Sequence, residues 1–214
     1  MLYWPQLNVN ADRKGDNVAL KQRSISRRKN SRDLILAIAT KHFGKYGYLG
    51  TSLEQVAQDA GVTRGALYHH FTDKHDLFRL VCHKLQNNAA KKIDKAIKNA
   101  TDPWDAYMSA IHSAIDSSSG FETRRILFID RVAILSWEEW HAIDMDTVSG
   151  SMRPAMARAM EEGYMERRPI PPLFFIIAAS ISRITIIAAD SDEITLDDIH
   201  QEFDELLSKY KIDR

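Results

Sequence analysis

An all-α protein of about nine helices is what the sequence predicts, and three observations carry that reading. Apolar residues recur at three- and four-residue spacing through most of the chain, as in Leu53, Val56, Ala57 and Ala60. Residues suited to helix caps, together with Gly and Pro breaks, punctuate those stretches. No segment alternates apolar and polar residues as a half-buried strand does, and no long repeat is present. With 214 residues, 44 % of them hydrophobic, a sizeable core is possible, as a small domain plus a larger one or as one elongated unit.

Taken in order, residues 1–30 show no helical or strand period. Pro5, Gly15 and the basic cluster Lys21, Arg23, Arg27, Arg28 and Lys29 read as a disordered basic extension. Such a segment is either a solvated tail or an arm able to enter a minor groove, with Arg28 and Lys29 as its contacts. Ser31 or Asn30 caps a helix from Arg32 to about Tyr46, which buries Ile35, Ile38, Ala39, His42 and Phe43 and ends at Gly47. Thr51 caps a second helix, with Glu54 returning the bond as a capping box. Gly61 supplies the left-handed residue that closes it. Val62 plugs the turn, Thr63 caps a third helix, and Leu67 and Phe71 continue its apolar row. Thr72 caps a fourth helix, with Asp73 and Asp76 in the first turn, where the dipole favours anions. This helix continues through Leu77, Leu80, Val81 and Leu85 and becomes Lys-rich between Lys91 and Lys98.

Thr101, Asp102 and Pro103 mark the next break. A helix over 103–117 carries Trp104, Tyr107, Met108, Ile111 and Ile115 on one side, and a Ser-Gly turn follows. Residues 121–135 are helical in composition, Trp137, Trp140 and Ile143 form a more irregular piece, and a long helix over 143–162 ends at Gly163. After the stiff segment Arg168 to Pro172 comes a helix over 172–189 that is apolar nearly all round. The last helix, about 196–210, uses Ile199, Phe203, Leu206, Leu207 and Tyr210.

Opposite its apolar row, the third helix carries Thr63, Arg64, Gly65, Tyr68 and His69. That face has donors, a small residue and an aromatic hydroxyl but no carboxylate, and so suits a polyanion. A helix laid in the major groove reaches base edges with its first turn and phosphates with its flanks. A solvated helical hairpin inside an unrelated all-α protein has the same spacing. Charge is uneven along the chain: residues 13–79 carry thirteen Lys and Arg against six Asp and Glu, residues 101–214 eleven against twenty-one, although the formal net charge is zero. A polyanion at one end only fits that asymmetry.

Over Arg32 to Phe78, about a fifth of the chain, the sequence resembles the DNA-binding domain of the TetR family of bacterial transcriptional regulators. The residues carrying the resemblance are Ile35, Ala39, Phe43, Gly47 and Tyr48; Thr51, Ser52, Leu53, Val56, Ala57, Ala60, Gly61 and Val62; and Gly65, Leu67, Tyr68, Phe71, Lys74, Leu77 and Phe78. The rest of the chain matches the family only in being helical. The resemblance implies a DNA-binding domain over 31–78 and an effector-binding and dimerisation domain over 79–214. It implies phosphate contacts from Thr51, Tyr68, His69 and Lys74, while Arg64 and Thr63 at the start of the third helix are placed to reach base edges, with Ser52 and Gly65 in the same surface. It further implies a homodimer on a pseudo-palindromic operator, with the last two helices of each copy packed together. The interface expected there is Phe174, Ile177, Ile181 and Ile184 on the apolar helix, which needs cover, and Phe203 and Leu207 on the last helix. The effector is expected to be a largely apolar small molecule held by Trp104, Met108, Ile111, Phe128, Trp137, Trp140, Met152 and Met156, with His112 and Arg131 as polar contacts. Any one of these residues also suits a plain core. Repression relieved by the effector is the expected role.

Other classes find little support. Cys82 is the single cysteine, so no intramolecular disulfide is possible. No secretory signal is visible at the start, and a cytoplasmic location is expected. The apolar run 173–189 is interrupted by Ser180, Ser182, Arg183 and Thr185, which suits a buried soluble helix better than a membrane span. His112 and Asp116 lie four apart on one helix, but nothing in the sequence completes a metal site, and no metal or other cofactor is expected. No phosphate loop, nucleophile elbow or acid pair is present, so no catalytic residue is assigned. A helical enzyme built on the rear cavity and a constitutive DNA binder without an effector are the rivals.

Overall fold

The computed structural model describes residues 10–191 and 193–212, with side chains from residue 30 onward. The described residues form ten helices and no strand; a lone antiparallel bridge joins Met165 to Lys211. They are α1 (Asn10–Gly50), α2 (Leu53–Asp59), α3 (Arg64–His70), α4 (Lys74–Asn99) and α5 (Pro103–Ser118). Next come α6, a run over 121–134 whose middle, Arg124–Asp130, is π-helical, and α7 (Trp137–Asp146). Helices α8 (Val148–Glu161), α9 (Ile170–Ala189) and α10 (Leu196–Ser208) complete the chain.

Several boundaries differ from the sequence reading. Helical backbone begins at Asn10, within the segment expected to lack structure, while residues 1–9 and the side chains of Arg28 and Lys29 lie outside the described residues. Ser52, not Thr51, caps α2: its hydroxyl accepts from Gln55 N, whereas the Thr51 hydroxyl is buried and donates to Gly47 O at 2.7 Å. Asp73, not Thr72, caps α4 by accepting from Asp76 N at 2.8 Å. The piece around Trp137 is a regular helix, because Ser136 and Glu139 close a reciprocal capping box. The long helix expected over 143–162 is interrupted at Thr147, whose backbone leaves the helical region (φ −129°, ψ −106°) and whose hydroxyl donates back to Ile143 O.

Two cores organise the helices. In front, Ile35, Ala39 and Phe43 of α1 meet Val56 of α2, Leu67 of α3 and Leu77, Phe78 and Val81 of α4. Phe78 presents its edge to the Phe43 ring at 5.0 Å between centroids, and His42 bonds Asp59 at 2.7 Å to tie α1 to α2. Each fully buried large side chain contributes about 1.5–3 kcal/mol of transfer free energy. Behind, Tyr107, Ile111 and Ile115 of α5 pack with Met152 and Met156 of α8, Phe174 and Ile177 of α9 and Phe203 and Leu207 of α10. His112 and His200 stack at 4.7 Å; His112 hydrogen-bonds Asp204 and His200 Nε2 lies 3.0 Å from Asp116 Oδ1, so the pair joins α5 to α10. Cys82 is buried, and burial pushes its thiol up to about 12, so it stays protonated and inert.

The seam between front and rear is tight. Ile126, Leu127, Leu135 and Ile143 of the rear helices belong to the front core. Gly47 ends the straight part of α1 at φ +73°, and a Cβ there would come within 2.5 Å of the Arg125 guanidinium. The next residue, Tyr48, donates its backbone N–H to Asp130 Oδ2 at 2.7 Å. Asp130→Ala leaves that N–H unpaired and is expected to destabilise the fold by about 1–3 kcal/mol, with Asp130→Asn costing less because it keeps an acceptor. Urea denaturation of the three chains measures this; equal stability of the alanine variant and the wild type would show that the bond contributes nothing.

Candidate nucleic-acid interface

Helices α2 and α3 form the hairpin expected from the sequence. Leu53, Val56 and Ala57 fix α2 to the core and Leu67 fixes α3. Gly61, at φ +63°, makes the turn between them. Thr63 caps α3 by accepting from Ala66 N at 3.1 Å. With Leu67 anchored inward, Thr63, Arg64, Gly65, Tyr68 and His69 are all exposed on one outward surface. Arg64 reaches Glu54 Oε1 at 3.2 Å and lies 5.5 Å from the Tyr68 ring centre, which holds its guanidinium over the first turn of α3. The carboxyl of Glu54 is held below its ordinary value by backbone and Ser52 hydrogen bonds and by Arg64.

Lys74 stands at the first turn of α4, where the helix dipole disfavours a cation. Its Nζ donates to Leu49 O at 3.2 Å and lies 4.8 Å from the Tyr48 ring centre, and burial lowers its proton affinity. This anchors the α1–α2 connection beside α4. Leu49 itself is 88 % exposed, a large apolar side chain that sequence reasoning did not single out. Of the residues expected at this surface whose side chains are described, Thr51 alone is buried: it is 3 % exposed and its hydroxyl is used internally. Gly65 has no structural reason within the chain. Its φ is unremarkable and a Cβ there would meet nothing within 4 Å. A helical glycine costs up to about 1 kcal/mol relative to alanine, and no contact within the chain requires it here.

The rear helices enclose a cavity of about 530 Å³. Phe128, Arg131, Trp137, Trp140 and Met152 line it as expected. Trp104, Met108, Ile111 and Met156 do not; they are buried in the rear core between α5, α8 and α10. His112 is drawn away by Asp204. Sequence reasoning missed Gln86, Ser117, Asp144, Ser149 and Phe174 in the lining. The first four are small or polar and come from separate helices, so no spacing pattern unites them. Among the described residues no group of three His, Cys, Asp or Glu side chains converges to hold a metal ion.

Comparison with known proteins places this geometry. The model of bacterial regulatory proteins of the tetR family matches residues 35–81, and that of the tetracyclin repressor-like C-terminal domain matches residues 104–210. The chain belongs to the TetR family. Among curated relatives, the HTH-type transcriptional regulator AcrR of Shigella flexneri is 35 % identical over 98 residues, covering 45 % of this chain and 46 % of that protein. The transposon Tn10 TetC protein of Escherichia coli is 27 % identical over 127 residues, 58 % of this chain and 62 % of that one. The chain thus spans about half to three-fifths of the length of the curated relatives it matches. In fold it resembles a TetR-family regulator of Pectobacterium atrosepticum (TM-score 0.70, 22 % identity, 88 % of this chain and 97 % of that one). It also resembles the fatty acid degradation regulator FadR of Bacillus halodurans (TM-score 0.73, 15 % identity, 82 % and 93 %). This TetR-family chain is a transcriptional regulator with a DNA-binding helix-turn-helix, formed by α2 and α3.

The bare surface over Gly65 makes opposite demands on folding and on DNA. Gly65→Ala is expected to leave thermal stability unchanged or to raise it by up to about 1 kcal/mol. The same change is expected to weaken DNA binding, since the added methyl would stand on the outward face of α3. Denaturation and fluorescence anisotropy on one preparation test both halves; full DNA affinity in the alanine variant would show that nothing approaches α3 closely there.

Proposed function

We propose that this TetR-family chain represses transcription by binding a pseudo-palindromic operator as a homodimer and leaves it when a small molecule fills the rear cavity. Residues 31–78 form the DNA-binding unit and residues 79–214 the effector and dimerisation unit. The observation that carries the reading is the outward face of α3, where five exposed residues include no carboxylate and a glycine stands over open space. Arg64 and Thr63 read base edges; Ser52, Tyr68, His69 and Lys74 hold the backbone. The effector acts only through a difference in its affinity for two arrangements of the chain.

The dimer surface follows from burial. Phe174, Ile177, Ile181, Phe203 and Leu207 face the chain's own core, and Ile184 is half-buried against it. Helix α9 is therefore not covered all round within one chain. Its outer side exposes Phe175, Ile176 and Ile187, with Ile176 at 64 %, and α10 exposes Leu206 nearby in sequence to its buried row. Ile170–Ala189 is long and apolar enough to cross a membrane by composition alone. The inner row Phe174, Ile177, Ile181 and Thr185 ties it to the core, and a second copy of α9 and α10 supplies the missing cover on the outer side.

Two experiments test these assignments. Lys74→Ala is expected to weaken binding about equally on operator and random DNA and to lower the salt slope by about one, whereas Arg64→Ala costs roughly 1–3 kcal/mol on the operator and relaxes preference at one base pair per half-site. Equal losses from Arg64→Ala on both DNAs would make Arg64 a phosphate contact. For the dimer, Ile176→Glu is expected to keep helical content but to sediment near the chain mass of 24.4 kDa. Ile177→Glu buries an unpaired charge in the core and unfolds the chain instead. Wild type sedimenting as a single species of the chain mass at micromolar concentration would rule out the two-half-site mechanism.

A further inference from the structure

We propose that the rear cavity is built for an organic monoanion, a carboxylate carried on an apolar body. The proposal rests on the reading of that cavity as the effector site and adds the charge of its ligand. Most of the wall is apolar, with Leu85, Phe128, Trp140, Met152 and Phe174 among its members. The charged groups in that wall are uneven: Arg131 and Arg183 stand against the single carboxylate of Asp144.

Arg131 is the group that needs an anion. Its guanidinium carbon lies 4.2 Å from the Trp140 ring centre, and its Nε donates to Leu127 O at 3.1 Å. These two contacts fix the plane of the guanidinium and occupy one of its five N–H donors. Among the described residues, neither Arg131 nor Arg183 forms an ion pair within 4.0 Å. Burial works against the charge on Arg131, with Asp144 offsetting part of that cost from a distance. A desolvated guanidinium with free, coplanar donors is shaped for a bidentate carboxylate.

Asp144 does not meet that need. Its carboxylate is taken by the Ser149 hydroxyl, which donates at 2.5 Å. Burial raises its proton affinity, against the opposing influence of Ser149, His141 and Arg131. The Ser117 hydroxyl, also in the lining, is buried without a hydrogen-bond partner and offers a further donor to a polar ligand atom. Arg183 is an exposed member of the lining, as are Val132, Trp137 and Phe175. The lining thus carries one half-buried and one exposed guanidinium, while its one carboxylate is already engaged. A cavity of about 530 Å³ falls within the ~300–1,000 Å³ of small-molecule sites and accommodates a medium-length chain or a fused aromatic ring.

Matched probes that differ only in head group decide the matter. Titration calorimetry of the full chain with decanoate, 1-decanol and decylammonium, each below its micellar concentration, reads the charge preference; 2-naphthoate distinguishes a ring from a chain as the apolar body. Decanoate or 2-naphthoate is expected to bind at least about tenfold more tightly than the alcohol or the ammonium. Arg131→Gln should reduce that discrimination to within about threefold, with continued decanol binding reporting that the cavity is intact. Asp144→Asn, which removes the opposing charge, should tighten decanoate binding. Decanol binding as tightly as decanoate, or decylammonium binding more tightly, would overturn the charge assignment while leaving the cavity as a ligand site. If no probe binds, the effector reading itself falls and the proposal with it.

Discussion

Helix α4 belongs to two cores at once, and the rest of the molecule is arranged around that constraint. Its first turns place Leu77, Phe78, Val81 and Cys82 among the helices of the DNA-binding hairpin, and about three turns beyond them Ile93 packs with α5 in the rear. A helix is stiff over this length, so its two ends cannot be displaced independently. The hairpin does not hang from a flexible linker. It is bolted to the rear helices by the same rod that gives it its third wall.

A second join works beside the first. The run α6 contributes Ile126 and Leu127 to the front core, Asp130 to the backbone of Tyr48, and Arg131 to the rear cavity. Neighbouring residues of a helix diverge by roughly 80–100°, so Asp130 and Arg131 face different regions of the protein. The π-helical stretch Arg124–Asp130 is where this divergence occurs. Whatever sits against Arg131 is therefore one residue from the bond that fixes the end of α1. The packed surroundings of Gly47 and Gly44, where a Cβ would clash with Arg125 and Glu122, leave that joint little slack.

The hairpin was legible because its signals are local. Leu53, Val56, Ala57, Gly61, Thr63 and Leu67 lie within one short stretch, and the spacing alone orients the outward face of α3. Only the cap moved, from Thr51 to Ser52, because the Thr51 hydroxyl found Gly47 O instead. The cavity was legible in part. Large aromatic and methionine side chains were sound candidates as a class, yet Trp104, Met108 and Met156 went to the core and Gln86, Asp144 and Ser149 came to the wall. Which large residue fills a core and which lines a void depends on how six helices meet, and that information is spread over distant parts of the chain.

Helix α9 shows the division most plainly. Its composition determined that it would be a helix apolar nearly all round, and the front residues carried both the spacing of a helix-turn-helix and the resemblance to the TetR family. Periodicity also established that Phe174, Ile177, Ile181 and Ile184 share a face. It could not say which way that face turns, since an inward row and an outward row have the same period when both are apolar. Only the packing of α5, α8 and α10 decided that Ile177 points into the chain and Ile176 out of it. The same packing left Arg131 without a carboxylate beside it. Sequence sets what each element must bury; the assembled tertiary structure decides which neighbour does the burying, because contacts between residues far apart in the chain carry no local signature.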